Sequence, residues 1–342
     1  MKRLQCEQLK LKGKMVIEFD PEIFQDIEKR QKLTHLLYLC YFDRRYDFFI
    51  DLTQINTSPI YIALNSEDKS LIEEYFNRFV NDSIDIDHLI TNQSGAETFD
   101  LDEARLYFDQ PLLIILENSL HDKYFLESVA NNFSKRGKAV RRNLQYRWIS
   151  IINAGGCENV DNVISEKLTT YLGLSKSPER YLRCFVIVDS DSTYPGEITP
   201  SRITLKEFLD SKSVKHHILL KREMENYLPD EVFSEVQNND EYIASYQKLS
   251  PLQKDYFDLE NGFTKNLSSY NNGVQDLYLD VSEVDMGNLR KGGLKMTNFK
   301  ANFPKLFLSE KVTQENLKKR TEHQGELANE LEIILDKIND LL

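Results

Sequence analysis

The stretch CFVIVDSDSTYPGE, residues 184–197, indicates the fold and raises the question of function. Apolar residues run from Cys184 to Val188 and lead directly into Asp189, Ser190 and Asp191, as in a buried strand of a parallel sheet. Two carboxylates one residue apart repel each other unless a cation or hydrogen bonds compensate them. Either Asp189 caps the next helix while Asp191 faces water, or both bind a hard cation such as Mg²⁺, which prefers oxygen ligands. The stretch alone leaves both interpretations open.

Short apolar runs on both sides of this stretch predict more strands, with helices between them. We expect strands at PLLIILE (111–117), RWISIIN (147–153), CFVIVD (184–189) and HHILLK (216–221), and helices at 158–172 and 203–211. Such strand–helix alternation predicts an α/β fold with a parallel sheet and right-handed crossovers.

The regions before and after this core predict two further domains. Residues 1–109 are expected to form an α+β domain that either binds a partner or completes the core. It should contain a helix at 31–42, strands at 46–52 and 58–64, a helix after Asn65 and a linker at 81–104. Residues 110–235 then form the α/β core, and residues 236–342 a mostly helical region. The last helix carries an apolar seam, either an internal packing face or a partner surface, formed by Leu327, Leu331, Ile334, Ile338 and Leu341.

Composition limits the classes of function. The 342 residues are 41% hydrophobic and 29% charged, which is typical of globular chains, and the net charge of −12 argues against coating nucleic acid over a whole surface. Four separated cysteines without a CxxC pair predict buried thiols in a reducing cytoplasm. No apolar run is long enough to cross a membrane, and no signal peptide is expected.

One basic run interrupts the acidic background, KRGKAVRR at 135–142. It is either a solvated helix end or a phosphate-contacting surface. Its basic residues are Lys135, Arg136, Lys138, Arg141 and Arg142.

Polar residues follow each predicted strand of the core. Glu117 ends the first strand, Gly155 and Gly156 follow the second, Asp189 and Asp191 follow the third, and Glu223 and Glu225 lie beyond the fourth. The carboxyl ends of parallel strands lie at one edge of a sheet, where ligands bind, so these residues are expected to meet. This combination is more specific than a lone DxD.

These residues resemble the TOPRIM domain shared by topoisomerases, primases and the overcoming-lysogenization-defect (OLD) nucleases. Glu117 matches the glutamate after the apolar strand, although Asn118 replaces the usual glycine, and VDSD matches the DxD motif at Asp189 and Asp191. Asp122 matches a later aspartate of nuclease members, and KREMENYLP resembles their ENYL-type segment, which points to Glu225. The resemblance covers about residues 110–235.

A C-terminal segment, GLKMTNFKANFPKLF, loosely resembles the lysine-bearing region that closes the active site in these nucleases. Its candidates are Lys291, Lys295 and Lys300, of which Lys295 is taken here as the catalytic one.

The resemblance implies a metal-dependent nuclease that cleaves DNA or RNA with one or two Mg²⁺ or Mn²⁺ ions. Glu117 would hold a metal or act as general base, and Asp189 and Asp191 would hold a metal. Asp122 and Glu225 would complete a second metal site, and Lys295 would neutralise the phosphate in the transition state.

Two other functions compete with this one. DSDST also fits the DxDx[TV] signature of haloacid-dehalogenase-type phosphatases, with Asp189 as nucleophile, and a catalytically inactive TOPRIM module could serve binding alone. OLD nucleases usually carry an ABC-type ATPase domain, but no GxxxxGK[ST] motif occurs here. The expectation is therefore a cytoplasmic effector of bacterial anti-phage defence that works with a separate ATPase subunit, and a homodimer is left open.

Overall fold

The computed structural model describes residues 14–80, 85–290 and 292–342. Contacts divide the chain into two units. The first takes in the chain up to Leu112 together with Leu174–Arg183 and Asp336–Leu342, and the second comprises Leu113–Gly173 and Cys184–Leu335. The division expected from the sequence, at residues 109 and 235, stays a prediction.

The first unit contains a four-stranded parallel sheet in the order β2-β1-β3-β4. Its elements are β1 Val16–Phe19, α1 Arg30–Tyr41, β2 Asp47–Phe49, α2 Leu52–Ile55, α3 Pro59–Ala63, α4 Ser66–Phe79, β3 His88–Ile90, β4 Thr98–Phe99 and α5 Leu101–Asp109. The helices predicted at 31–42 and after Asn65 are confirmed as α1 and α4. For the described part of residues 1–109 the α+β prediction is wrong, because all paired strands are parallel and helices lie between β1 and β2 and between β2 and β3.

Two other local predictions in this unit are also wrong. The segment 58–64 is the helix α3 and not a strand, because Ser58 accepts a hydrogen bond from the backbone N–H of Tyr61 and Pro59 takes the first helical position. The predicted linker 81–104 contains β3, β4 and the start of α5. Strands of two or three residues carry too little alternation to be read from sequence.

The second unit contains the other four-stranded sheet, in the order β6-β5-β7-β8. Its elements before residue 220 are β5 Leu112–Leu116, α6 Ser119–Asn132, α7 Gly137–Gln145, β6 Ile149–Asn153, α8 Val160–Thr169, β7 Cys184–Val188, α9 Pro200–Ser211 and β8 Lys215–Ile218. All four strands expected for the core are therefore confirmed, as is the α/β class.

The register of the central strands brings their carboxyl ends to one edge. Leu116 pairs with Ile187 between β5 and β7, and Val188 pairs with Ile218 between β7 and β8, all in parallel. Every residue of β7 is buried. An apolar strand covered on both faces ends where its first polar residues appear, which here is Asp189.

The described part of residues 236–342 is helical, as expected. Its helices are α10 Asp240–Lys248, α11 Pro251–Tyr256, α12 Asn272–Leu277, α13 Glu283–Leu289, α14 Phe299–Asn302, α15 Gln314–Lys319 and α16 Glu330–Asn339. Leu331, Ile334 and Ile338 of the apolar seam are buried, whereas Leu327 is 49% exposed. Among the described residues, no helix combines the length and apolarity that a membrane span requires.

A close approach between α6 and α7 depends on Gly137. A Cβ atom at this position would overlap the backbone carbonyl of Ala130 in α6, which also accepts a hydrogen bond from Arg141. Gly287 in α13 provides a contrast, since a Cβ there meets open space.

We expect Gly137→Ala to lower the free energy of unfolding by about 1–3 kcal/mol, because the helices must separate to accept one methyl group. The matched change Gly287→Ala should be neutral or should stabilise the fold by up to about 1 kcal/mol, since alanine has a higher helix propensity than glycine at an exposed position. Urea denaturation of both variants measures the two effects, and equal stabilities would contradict the packing described.

Candidate functional site

A polar cleft of about 430 Å³ opens at the carboxyl edge of the second sheet. Its walls come from the ends of β5, β6 and β7, from the segment after β8 and from the C-terminal helical region. The lining residues are Glu117, Asn118, Asp122, Asn153, Gly155, Gly156, Asp189, Asp191, Glu223, Glu225, Glu260, Phe299 and Lys300. All five predicted metal ligands therefore line the same cleft.

Glu117 is positioned by the turn that follows β6. The backbone N–H groups of Gly155 and Gly156 both donate to the carbonyl oxygen of Glu117 at 3.0 Å. These glycines have φ values of 77° and 118°, a region that other residues rarely adopt. The Gly–Gly pair thus fixes the main chain at Glu117, while the Glu117 side chain points to β7 and accepts a 3.0 Å hydrogen bond from the backbone N–H of Asp189.

The DxD segment is held against the chain that leaves β8. Ser190 and Asp191 donate their backbone N–H groups to the carbonyl of Arg222, at 3.1 and 3.0 Å. Asp191 adopts a left-handed conformation with φ of 53°, which turns the chain away after the motif. Oδ1 of Asp189 accepts a hydrogen bond of 3.0 Å from the backbone N–H of Met224. Asp189 therefore faces the segment that carries Glu223 and Glu225.

Asn226 fixes that segment. Its side chain accepts from the backbone N–H of Glu223 at 2.9 Å and donates to the carbonyls of Lys254 and Phe257 at 2.8 and 2.9 Å. The buried Asn226 amide therefore holds the ENYL segment in place. Glu225, the residue before it, lines the cleft.

Asp122 lies in the first turn of α6, four residues beyond the N-cap residue Asn118. Its Oδ2 accepts from the backbone N–H of Asn118 at 2.8 Å and so satisfies a donor at the helix start. The same carboxylate lines the cleft, so it combines a structural contact with a site position.

The carboxylates in the cleft are short of compensating charge. Burial raises the pKa of Glu117 to about 7 and that of Asp122 to about 6. Burial, reinforced by Glu223, raises the pKa of Glu225 to about 8, and burial beside Glu117 raises the pKa of Asp189 well above its usual range. Shifts in this direction mean that the fold disfavours the charged forms of these carboxyls.

One basic residue that lies among these carboxylates, Arg202, was not predicted from the sequence. Arg202 lies in the first turn of α9 and is 1% exposed. Its Nη2 lies 2.8 Å from Oε1 of Glu117 and 2.7 Å from Oδ2 of Asp191, and its Nε donates to the carbonyl of Asp189 at 2.5 Å. A lone arginine within ITPSRITL carries no motif, so no sequence signal marked it.

The candidate lysines differ in their position relative to the cleft. Lys300 lines the cleft, with Nζ 3.7 Å from Oε2 of Glu260, and its side chain is 69% exposed. Lys295 is exposed, does not line the cleft, and uses its backbone to pair with Asn239. Lys291 lies outside the described residues.

The basic run at 135–142 is partly used within the fold. Arg136 pairs with Glu332 at 2.8 Å, Arg141 donates to the carbonyls of Ala130 and Ser134, and Arg142 stacks over the Trp148 ring at 5.4 Å. Lys135 and Lys138 are exposed. Nucleic-acid binding by this run stays a prediction.

The donor set suits a hard divalent cation, since Mg²⁺ and Mn²⁺ take carboxylate oxygens. Within the described ranges, no three His, Cys, Asp or Glu side chains are already gathered as a metal-ligating group.

No protein-family model matches the chain, and comparisons with curated proteins and with solved structures also found no match.

The raised pKa values predict how stability depends on pH. A buried carboxyl that keeps its proton to a higher pH than in the unfolded chain stabilises the fold at low pH, and this contribution is lost as pH rises. Without divalent cations, we expect the melting temperature to fall by on the order of 5 °C between pH 5 and pH 7. The prediction is limited to pH 7 because burial lowers the pKa of Lys221 to about 7. At higher pH, this lysine makes stability rise with pH and so opposes the effect of the carboxyls.

Calorimetry in EDTA measures this slope. Glu225→Gln should flatten it, whereas Glu166→Gln, an exposed change in α8, should leave it unchanged. A melting temperature that rises over this range in the wild type would contradict the charge deficit in the cleft.

Proposed function

We propose that this chain is a metal-dependent hydrolase that cleaves phosphodiester bonds of DNA or RNA, a nuclease of the TOPRIM, OLD-like type. One observation carries the proposal. Carboxylates from the end of β5, from the end of β7 and from the segment after β8 line a single cleft, and their pKa values are raised. Perturbed carboxylates that converge in a cleft are typical of a catalytic site and less typical of a structural one.

A divalent cation, when bound, would neutralise charge on the phosphate and make a water molecule more acidic. Its oxygen ligands would come from among Glu117, Asp122, Asp189, Asp191 and Glu225, which all line the cleft. Backbone donors at Asp189, Met224 and Asn118 hold several of these carboxylates in place before an ion arrives. Such preorganisation reduces the rearrangement that the reaction requires.

Glu117 and Lys300 have separate tasks in this proposal. A carboxyl with a pKa of about 7 is matched to proton transfer near neutral pH, so Glu117 suits a general base. Lys300 lies at the exposed rim of the cleft, where its ammonium group can meet a substrate phosphate. The lysine of the proposed site is therefore Lys300, five residues beyond the expected Lys295.

The phosphatase alternative requires Asp189 to be an ionised nucleophile. Burial and the neighbouring Glu117 raise the pKa of the Asp189 carboxyl well above its usual range, and its Oδ1 accepts a hydrogen bond from the N–H of Met224. Both features favour a ligand that ionises when a cation binds over a free nucleophile.

A role as a defence effector that works with a separate ABC-type ATPase remains part of the proposal, supported by the resemblance alone. Co-purification with an ATPase encoded beside this chain, together with a change in cleavage, is the expected result. Equal cleavage with and without that ATPase, and no complex, would remove this part and leave the nuclease proposal in place.

We expect Glu117→Gln to lower cleavage of plasmid DNA or transfer RNA by at least about 100-fold, because an amide neither accepts the proton nor carries the charge. The assay compares Mg²⁺, Mn²⁺ and EDTA, with the melting temperature as a check of folding. Glu166→Gln serves as the matched control and should cleave like the wild type.

Cleavage by Glu117→Gln at the wild-type rate, or wild-type cleavage that EDTA does not reduce, would contradict the proposal. Trapping of an aspartyl-phosphate analogue at Asp189 with beryllofluoride would instead identify the phosphatase. Binding of nucleic acid without any cleavage would identify the inactive binding module.

The two lysines offer a second matched pair. Lys300→Met should reduce kcat by about 10-fold or more, since it removes the positive charge at the rim while keeping the chain length. Lys295→Met should change kcat by less than about twofold, because that side chain does not line the cleft. The opposite ranking would restore Lys295 as the catalytic lysine.

A further inference from the structure

Arg202 occupies the gap between two carboxylates that come from different strands. Its Nη2 is 2.8 Å from Glu117 and 2.7 Å from Asp191, so one nitrogen donates to both. The third contact, from Nε to the carbonyl of Asp189 at 2.5 Å, fixes the plane of the guanidinium group. One side chain thereby connects the ends of β5 and β7.

The burial of Arg202 is not explained by stability. The side chain is 2% exposed, and Nη1 has no hydrogen-bond partner among the described residues. A buried donor without a partner costs free energy, and buried ion pairs often stabilise no better than apolar side chains would. The position makes sense if the charge itself is required beside Glu117 and Asp191.

A divalent ion bridging Glu117 and Asp191 would need the space that Nη2 occupies. Metal–oxygen bonds are about 2.0–2.2 Å long, so such an ion would lie between the same two oxygen atoms. Two cations cannot share this gap, because like charges at such distances repel strongly. Arg202 and a bridging metal ion therefore exclude each other.

Two of the five other carboxylates in the cleft are paired with a cation, Glu223 with Arg222 at 3.2 Å and Glu260 with Lys300 at 3.7 Å. Within the described ranges, no Lys, Arg or His forms an ion pair with the remaining three, Asp122, Asp189 and Glu225. All three side chains line the cleft and are partly buried. They are the part of the cleft that a metal ion would complete.

We propose that Arg202 is the resident cation of one half of the cleft, so that the site takes a single divalent ion on Asp122, Asp189 and Glu225. This inference rests on the proposed metal site and specifies it further. Arg202 is then a positioning residue: it holds Glu117 as proton acceptor and keeps both Glu117 and Asp191 out of the metal shell.

Titration of the full chain with Mn²⁺, followed by calorimetry and by electron paramagnetic resonance, tests this directly. The wild type should bind one ion. Arg202→Met, which removes the charge but retains bulk, should bind two, and Arg202→Lys, which keeps a charge in the gap, should remain at one. A merely structural role of Arg202 would not change the number of ions in this pattern.

A pair of variants that leave Arg202 intact covers the case in which Arg202→Met fails to fold. Glu117→Gln should keep its Mn²⁺ affinity within about threefold of the wild type, whereas Asp189→Asn should lose at least about tenfold. Equal losses in the two variants would overturn the inference, because Glu117 would then be a ligand.

The outcomes separate this inference from the nuclease proposal. One bound Mn²⁺ without cleavage of nucleic acid supports the role of Arg202 and removes the nuclease. Two bound Mn²⁺ in a wild type that cleaves overturns the role of Arg202 and keeps the nuclease. Absence of Mn²⁺ binding in the wild type and in Arg202→Met overturns the inference.

Discussion

The hydrogen bond from the backbone N–H of Asp189 to Oε1 of Glu117 joins the ends of the two central strands of the second sheet. It can form only because β5 and β7 run in parallel and in a register that places Leu116 beside Ile187. That register is strongly favoured by the apolar residues that bury both strands. A core selected for packing thus fixes the separation of two carboxylates at the edge of the sheet.

The same constraint creates the electrostatic problem that the rest of the site addresses. Carboxylates at buried strand ends lose hydration, and neighbouring carboxylates add repulsion. The fold responds with backbone donors at Met224 and Asn118 and with one guanidinium group at Arg202. With these contacts in place, the pKa values of Glu117, Asp122 and Glu225 are still raised, so a bound cation would stabilise their ionised forms. This uncompensated negative charge connects the geometry of the cleft with the proposed metal-dependent chemistry.

The parts of the fold that follow from strong local patterns were predictable. Apolar runs, unbroken in β5 and β7, predicted all four strands of the second sheet, and the polar residues that follow β5 and β7 are Glu117 and Asp189. The first sheet was harder, because its strands span two to four residues and Pro59 converts a strand-like sequence into a helix. Arg202 was not predictable, because its role depends on the position of α9 next to the ends of β5 and β7. No periodic pattern in the sequence indicates this tertiary contact. Lys300 was named among three candidates but not chosen, since spacing alone cannot show which lysine reaches the cleft.

The most direct test of the central claim is anomalous diffraction from crystals of the full chain grown with Mn²⁺. The predicted result is one peak in the cleft, within about 2.0–2.4 Å of carboxylate oxygens from at least two of Asp122, Asp189 and Glu225. A cleft without a peak at saturating Mn²⁺, in crystals whose carboxylates are accessible to solvent, would contradict the claim that these strand ends form a metal site.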